Sequence, residues 1–162
     1  MQSVTQSRDG DILILTVNNP PVNALSWHVR DGLGEGIDAA LADDSVKAVL
    51  LICDGTTFIA GADIKEFRGL DSVETAFSLV SGGQRVLDRL EALPCPTVAA
   101  LHGFALGGGL ELALACTYRV AVVDTRDDTL LGTWDVRNPD PEPGTPEPRI
   151  HAAVFSQNGN TL

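Results

Sequence analysis

Glu111 is a carboxylate inside an apolar segment, Leu110-Glu111-Leu112-Ala113-Leu114, and three consecutive glycines, Gly107 to Gly109, precede that segment. Glycines let a backbone approach a ligand closely and take angles that a side chain forbids. A helix opening at this turn aims N–H groups that lack intrahelical partners at whatever lies above them. An ionisable group beside such donors, flanked by leucines, has the surroundings of a catalytic acid or base. A second glycine-containing turn, Ala60-Gly61-Ala62-Asp63, also follows an apolar run. Asp63 is placed to cap a short helical segment, Ile64 to Phe67. Lys65 has two readings, a solvated lysine or a point charge for a phosphate. His102 follows an apolar strand and reads as a packed histidine, not a catalyst.

The elements that must position these residues follow from periodicity. Ile12 to Val17 is a β-rich run, stopped by Asn18-Asn19-Pro20-Pro21. Ser26 is a candidate cap for a helix reaching about Leu41, with Val29, Leu33, Ile37 and Leu41 on one face. Val46 to Cys53 is a near-continuous apolar strand of the kind that is buried on both faces. A long helix is predicted from Ser72 to Leu93, with Phe77, Val80, Gln84, Leu87 and Glu91 along a stripe that reads as core or subunit contact. The paired Gly82-Gly83 weakens that helix by about 1 kcal/mol per glycine. Pro94-Cys95-Pro96 ends it; Thr97 to Leu101 is a strand, Gly107 to Cys116 a turn and helix, and Tyr118 to Val123 a strand. Strand and helix alternate throughout, which predicts an α/β fold with consecutive crossovers and a largely parallel sheet. Ligands of such sheets bind outside the carboxyl ends of the strands, where both glycine turns fall.

With 162 residues, 44% hydrophobic and 20% charged, the chain has the make-up of one globular domain. A formal net charge of -11 argues against nucleic acid or an anionic membrane as partner. Cys53, Cys95 and Cys116 are odd in number and lie in or beside apolar runs, as free thiols of a reducing compartment do. No two have zinc-ligand spacing and the three histidines are scattered, so no metal is expected. The first residues lack the pattern of a secretory signal and no apolar run reaches membrane-span length, so no membrane insertion and a cytoplasmic location are expected. The composition changes after Val123. Residues 1–123 are expected to form the ordered domain and residues 124–162, with prolines at alternate positions from Pro139 to Pro143, an extended, solvated tail.

Four motifs in order carry a resemblance: Val22-Asn23-Ala24-Leu25-Ser26, Phe58 to Lys65 (FIAGADIK), Pro94 to Ala100 (PCPTVAA) and Gly103 to Leu114 (GFALGGGLELAL). Together they resemble the enoyl-CoA hydratase/isomerase (crotonase) superfamily over about residues 10–121, and Asn19 to Ser26 is most similar to the hydratase/isomerase part of multifunctional fatty-acid β-oxidation enzymes. The resemblance implies a spiral ββα fold, incomplete here at the C-terminus, and an acyl-CoA thioester as substrate. It assigns the oxyanion hole to the N–H groups of Ala62 and Gly108, and the base that acts on water to Glu111. Coenzyme A would lie along Asn23, Ala24, Ala60, Gly61, Asp63, Ile64, Lys65 and Gly107. It arrives on the substrate, so no separate cofactor is implied.

The hydratases carry a second glutamate about twenty residues beyond the first, where this chain has Leu131; the nearest substitute is Asp135 in Leu131-Gly132-Thr133-Trp134-Asp135-Val136. The oligomerising C-terminal helices of the family are not found in the sequence. The resemblance thus implies a hydratase-type chain, truncated or frame-damaged near Val123 and inactive if its second glutamate is lost. The alternatives are a Δ3-Δ2 enoyl-CoA isomerase using one glutamate, or a non-catalytic CoA-binding fragment.

Overall fold

Residues 2–68 and 70–121 are described by the structure, a computed structural model. The expected boundary at Val123, the tail at 124–162 and Asp135 lie outside the described residues. Strand β1 is Val4–Asp9, β2 is Ile12–Val17, α1 is Trp27–Ala42 and β3 is Ala48–Cys53. A 3₁₀ turn covers Ile64–Phe67, then come α2 (Val73–Glu91), β4 (Thr97–Leu101), α3 (Gly108–Ala115) and β5 (Tyr118–Ala121). The five strands form one sheet in chain order. β1 and β2 are an antiparallel hairpin; β2, β3, β4 and β5 are parallel.

A parallel sheet built in chain order needs a crossover of the same hand each time, which puts α1, α2 and α3 on one face. α1 accordingly packs on β1 and β2, and α2 packs between α1 and α3. Between each strand and its helix the chain makes a second extended contact. Leu25 bridges Ala62 and Ile59 bridges Ala105, both in parallel. The repeat is therefore strand, bridge, helix, wound three times, which is the spiral ββα pattern.

Alternation explains the core. Leu13, Leu15 and Val17 of β2 and Val49 and Leu51 of β3 face the helices and are buried. On α1, Val29, Leu33, Ile37 and Ala40 are buried, whereas Leu41, expected on that face, is 53% exposed. A strict four-residue spacing drifts around a helix of 3.6 residues per turn, and after twelve residues it has left the buried face. Gly32 and Gly36 are the notches that let α1 lie close: a Cβ on Gly36 would sit 2.5 Å from Leu15 Cδ2, and one on Gly32 would sit 2.8 Å from Val4 Cβ.

Other differences from expectation have physical causes. β1 was not predicted, because only its first residue, Val4, is buried and the rest of VTQSRD faces solvent at the sheet edge. Ser26 stands at the N-cap of α1 but makes no side-chain cap bond. The α2 stripe is not core at its N-terminal end: Phe77 is 71% and Val80 52% exposed, and Leu90 is the residue that is buried. Gly82 and Gly83 lie within α2 without breaking it. Among the described residues no helix is long and apolar enough to cross a membrane.

Candidate functional site

Because β2, β3 and β4 are parallel, the loops that leave them (residues 18–26, 54–63 and 102–107) gather at one end of the sheet. Buried polar side chains lace these loops together. Asn23 is 3% exposed and has φ of +51°, a left-handed conformation that asparagine tolerates better than most residues. Its Oδ1 accepts from Asn19 N (2.8 Å), and its Nδ2 donates to Asp54 O (2.7 Å) and Thr57 O (2.9 Å). Asn19 Nδ2 in turn donates to Ala24 O at 2.8 Å. The first loop is thereby tied to the second. Thr57, also buried, ties the second to the third: its Oγ1 accepts from Phe104 N (2.9 Å) and donates to Phe104 O (2.8 Å). Gly103 has φ of +57°, and a Cβ there would sit 2.2 Å from Thr56 O. The Asn23 side chain spends its hydrogen bonds inside the protein, so its part in any site is to shape the loop.

This lacing brings the two glycine turns into contact. Gly61 and Gly107 have φ of +116° and +48°, and a Cβ on Gly107 would lie 3.9 Å from Gly61 Cα. The position a Cβ would take on Gly108 lies 3.9 Å from Ala62 N and 3.2 Å from Leu25 Cδ2. Among the described residues, neither the Ala62 N–H nor the Gly108 N–H has an acceptor in the protein. Gly108 opens α3, so its N–H belongs to the positive end of the helix dipole. Glu111 lies three residues on, one helical turn from Gly108, with its own N–H given to Gly107 O at 3.0 Å. It is exposed, and so are Leu106, Leu110 and Leu114 around it.

α3 is pinned at both ends. Gly109 rests directly on the neighbouring bridge, since a Cβ there would meet Ile59 O at 2.2 Å. At the other end Arg119 Nη1 donates to Cys116 O (2.7 Å) and Leu114 O (3.3 Å), and to Ala113 O (3.2 Å), which also accepts from Cys116 N, so the guanidinium caps the C-terminal carbonyls of the helix. The Cys116 thiol below is pushed up to about 11 by burial, against the opposing effects of a Thr97 hydrogen bond and the Arg119 charge. Burial likewise raises Cys53, helped by the charge of Asp54.

The remaining expected site residues are on the same rim. Ala24 and Ala60 are half-buried, the latter through a 3.2 Å bond from its N to Val22 O. Asp63 caps the 3₁₀ turn, its Oδ1 accepting from Lys65 N at 2.9 Å. Ile64 and Lys65 are exposed beside it. Two residues escaped the sequence reading. Arg30 Nη2 and Glu66 Oε2 form a mostly buried ion pair at 2.8 Å, Arg30 Nη1 donates to Leu25 O at 2.8 Å, and Glu66 Oε1 accepts from Trp27 N. Two charged residues 36 positions apart carry no local signal of pairing. A separate cleft of about 400 Å³ runs between α1 and α2, lined by Arg30, Gly34, Gly82, Arg85 and Arg89 among others, and it includes neither Ala62 nor Glu111.

Residues 7–128 match the family model described as enoyl-CoA hydratase/isomerase. A protein named "Probable enoyl-CoA hydratase" from Bacillus subtilis (strain 168) is 41% identical over 126 residues, which are 78% of this chain and 49% of that protein. A "Fatty acid oxidation complex subunit alpha" from Idiomarina loihiensis is 39% identical over 133 residues, 80% of this chain and 18% of that protein. The crystal structure of an enoyl-CoA hydratase/carnithine racemase from Magnetospirillum magneticum superposes with a TM-score of 0.71 at 38% identity, over 75% of this chain and 47% of that one. The chain thus spans about half the length of the Bacillus relative and less of the Idiomarina one. With the matched segment containing both glycine turns and Glu111, the chain belongs to the enoyl-CoA hydratase/isomerase family.

Proposed function

We propose that this end of the sheet binds the thioester of an acyl-CoA, with the N–H groups of Ala62 and Gly108 on the thioester oxygen. One observation carries the reading: among the described residues neither the Ala62 nor the Gly108 N–H has a protein acceptor, a Cβ on Gly108 would lie 3.9 Å from Ala62 N, and Gly108 opens a helix. Donors held in this way stabilise an oxygen that becomes enolate-like, and each contributes about 3–4 kcal/mol to lowering a barrier. They need no reorganisation during reaction, because Thr57, Asn23 and the Gly109 contact already fix both turns.

The chemistry we assign is addition of water across the 2,3-double bond of an enoyl-CoA. Glu111 takes a proton from the water as it attacks the β-carbon, and the thioester oxygen takes up negative charge between Ala62 and Gly108. Glu111 then passes that proton to the α-carbon, the part a second glutamate plays in the hydratases, which restores its carboxylate and completes the addition. Lys65, exposed in the 3₁₀ turn that Asp63 caps, would meet a phosphate of coenzyme A as a point charge. The Bacillus and Idiomarina relatives, named a probable enoyl-CoA hydratase and a fatty acid oxidation complex subunit, favour this reaction and this substrate class.

Crotonyl-CoA tests the reading with the full chain. Loss of the enoyl-thioester ultraviolet band, with 3-hydroxybutyryl-CoA as product, is the result expected where Glu111 itself returns the proton that the second glutamate of the hydratases would give. Binding without turnover would reduce the assignment to a CoA-binding chain. Conversion of a 3-enoyl-CoA to the 2-enoyl product, without hydration, would move it to the one-carboxylate isomerisation, for which Glu111 suffices as the carboxylate of α3. Absence of binding to either thioester would overturn it.

A further inference from the structure

We propose that Arg30 and Glu66 are positioning residues for the Ala62 half of the oxyanion pair, an inference that rests on the thioester reading above. The argument starts at the N-terminus of α1. Ser26 makes no side-chain cap bond there and the first turn of the helix has no acidic residue. The missing acceptor comes from another loop: Glu66, in the 3₁₀ turn, accepts from Trp27 N with Oε1. Its second oxygen holds Arg30 Nη2 at 2.8 Å, and the other arm of Arg30 donates to Leu25 O at 2.8 Å.

Leu25 is the residue between the two oxyanion donors. Its N–H donates to Gly61 O at 2.8 Å, it bridges Ala62, and its Cδ2 is 3.2 Å from where a Gly108 Cβ would be. The contacts therefore close a ring from Ala62 through Glu66, Arg30 and Leu25 back to Gly61. The Gly61–Ala62 peptide carries the catalytic N–H at one end and the carbonyl bound by Leu25 at the other, so fixing Leu25 fixes the direction of that N–H. Charge-assisted, mostly buried hydrogen bonds in a planar guanidinium fork suit this task, because they specify direction as well as distance. Neither side chain needs to touch substrate.

The test reads polarisation of the bound carbonyl directly. Crotonyl-CoA labelled with ¹³C at the thioester carbon is bound to the full chain and its carbonyl stretch recorded by difference infrared spectroscopy. The wild-type chain is expected to shift the band to lower frequency. Glu66→Ala is expected to lose about half of that shift, one donor of two, with thioester affinity changed less than about threefold. Turnover, where measured, is expected to fall roughly 10–100-fold at nearly constant KM. Glu66→Gln keeps an oxygen for Trp27 N and is expected to recover part of the shift. Arg30→Lys, which cannot hold Leu25 O and Glu66 together, is expected to behave like Glu66→Ala. Circular dichroism and a denaturant midpoint establish that each variant is folded. A full carbonyl shift in folded Glu66→Ala and Arg30→Lys would overturn the positioning role and leave the thioester reading standing. No shift in the wild-type chain despite binding would overturn both.

Discussion

Replacing Gly109 by alanine reverses the usual effect of that substitution in a helix. Alanine normally stabilises a helix interior by about 1 kcal/mol over glycine. Here the new Cβ would sit 2.2 Å from Ile59 O, 2.7 Å from Ile59 Cβ and 2.8 Å from Ile59 Cγ2. Ile59 cannot retreat, because it is fully buried, its carbonyl accepts from Leu106 N at 3.0 Å, and it is bridged to Ala105. The helix must move instead, by roughly 1 Å to restore van der Waals separation. Overpacking of this kind costs about 1–3 kcal/mol and outweighs the propensity gain in most of that range. The N-terminus of α3 would carry the Gly108 N–H and Glu111 with it, and a 1 Å misplacement of reacting groups costs on the order of 100-fold in rate. Gly83→Ala in α2 is the matched control, since its new Cβ meets only Arg30 Cδ at 3.8 Å. The assay is a pair of urea unfolding curves with the infrared shift of a bound ¹³C-labelled thioester. Gly83→Ala is expected to raise the midpoint and keep the shift; Gly109→Ala is expected to lower both. A Gly109→Ala chain as stable as Gly83→Ala, with an unaltered carbonyl band, would refute the claim that α3 is seated on Ile59.

Glu111→Gln is expected to reduce hydration by about 10²–10⁴-fold while leaving the unfolding midpoint within about 0.5 kcal/mol, because Glu111 is exposed; steady-state rates and denaturation on the same sample check both. Thr57→Val leaves Phe104 N and O without their side-chain partner, and a loss of about 1–3 kcal/mol in denaturant unfolding is expected. The buried thiols give a pH signature. Cys116 ordinarily titrates at 9.0 and is pushed up to about 11 in the folded chain, so between those values the unfolded state holds fewer protons than the folded one. Stability must then fall as pH rises through that window, by on the order of 2–3 kcal/mol for this thiol, with Cys53 acting in the same direction. Unfolding midpoints measured across pH 8–11 are expected to slope downward, less steeply in Cys116→Ala; a slope unchanged in that variant would contradict the linkage (about 1.36 kcal/mol per pKa unit).

The parts of this molecule that were legible in its sequence are those whose cause is local. A short β-rich run stopped by Asn18-Asn19-Pro20-Pro21 marks β2, glycines mark the turns at Gly61 and Gly107, and an acid three residues past a helix start marks Glu111 as a neighbour of Gly108. The resemblance added which N–H groups to propose as an oxyanion pair, and the fold brings the turns that carry them to the same end of the sheet. What periodicity does not reveal is the surface an apolar face is laid against. Phe77 and Val80 repeat at helical spacing as regularly as Val29 and Leu33 do, yet the first pair is exposed and the second buried. The difference lies in α1 having the sheet beneath it, with Gly32 and Gly36 admitting Val4 and Leu15, a relation between segments far apart in the chain. The same reason hides β1, an edge strand whose pairing uses backbone groups that every sequence has, and hides the Arg30–Glu66 pair. Those two side chains look like solvated charges until the spiral brings the 3₁₀ turn over the start of α1. A site made of backbone N–H groups inherits this property: its donors can be named from a motif, but their aim is set by side chains that the motif does not contain.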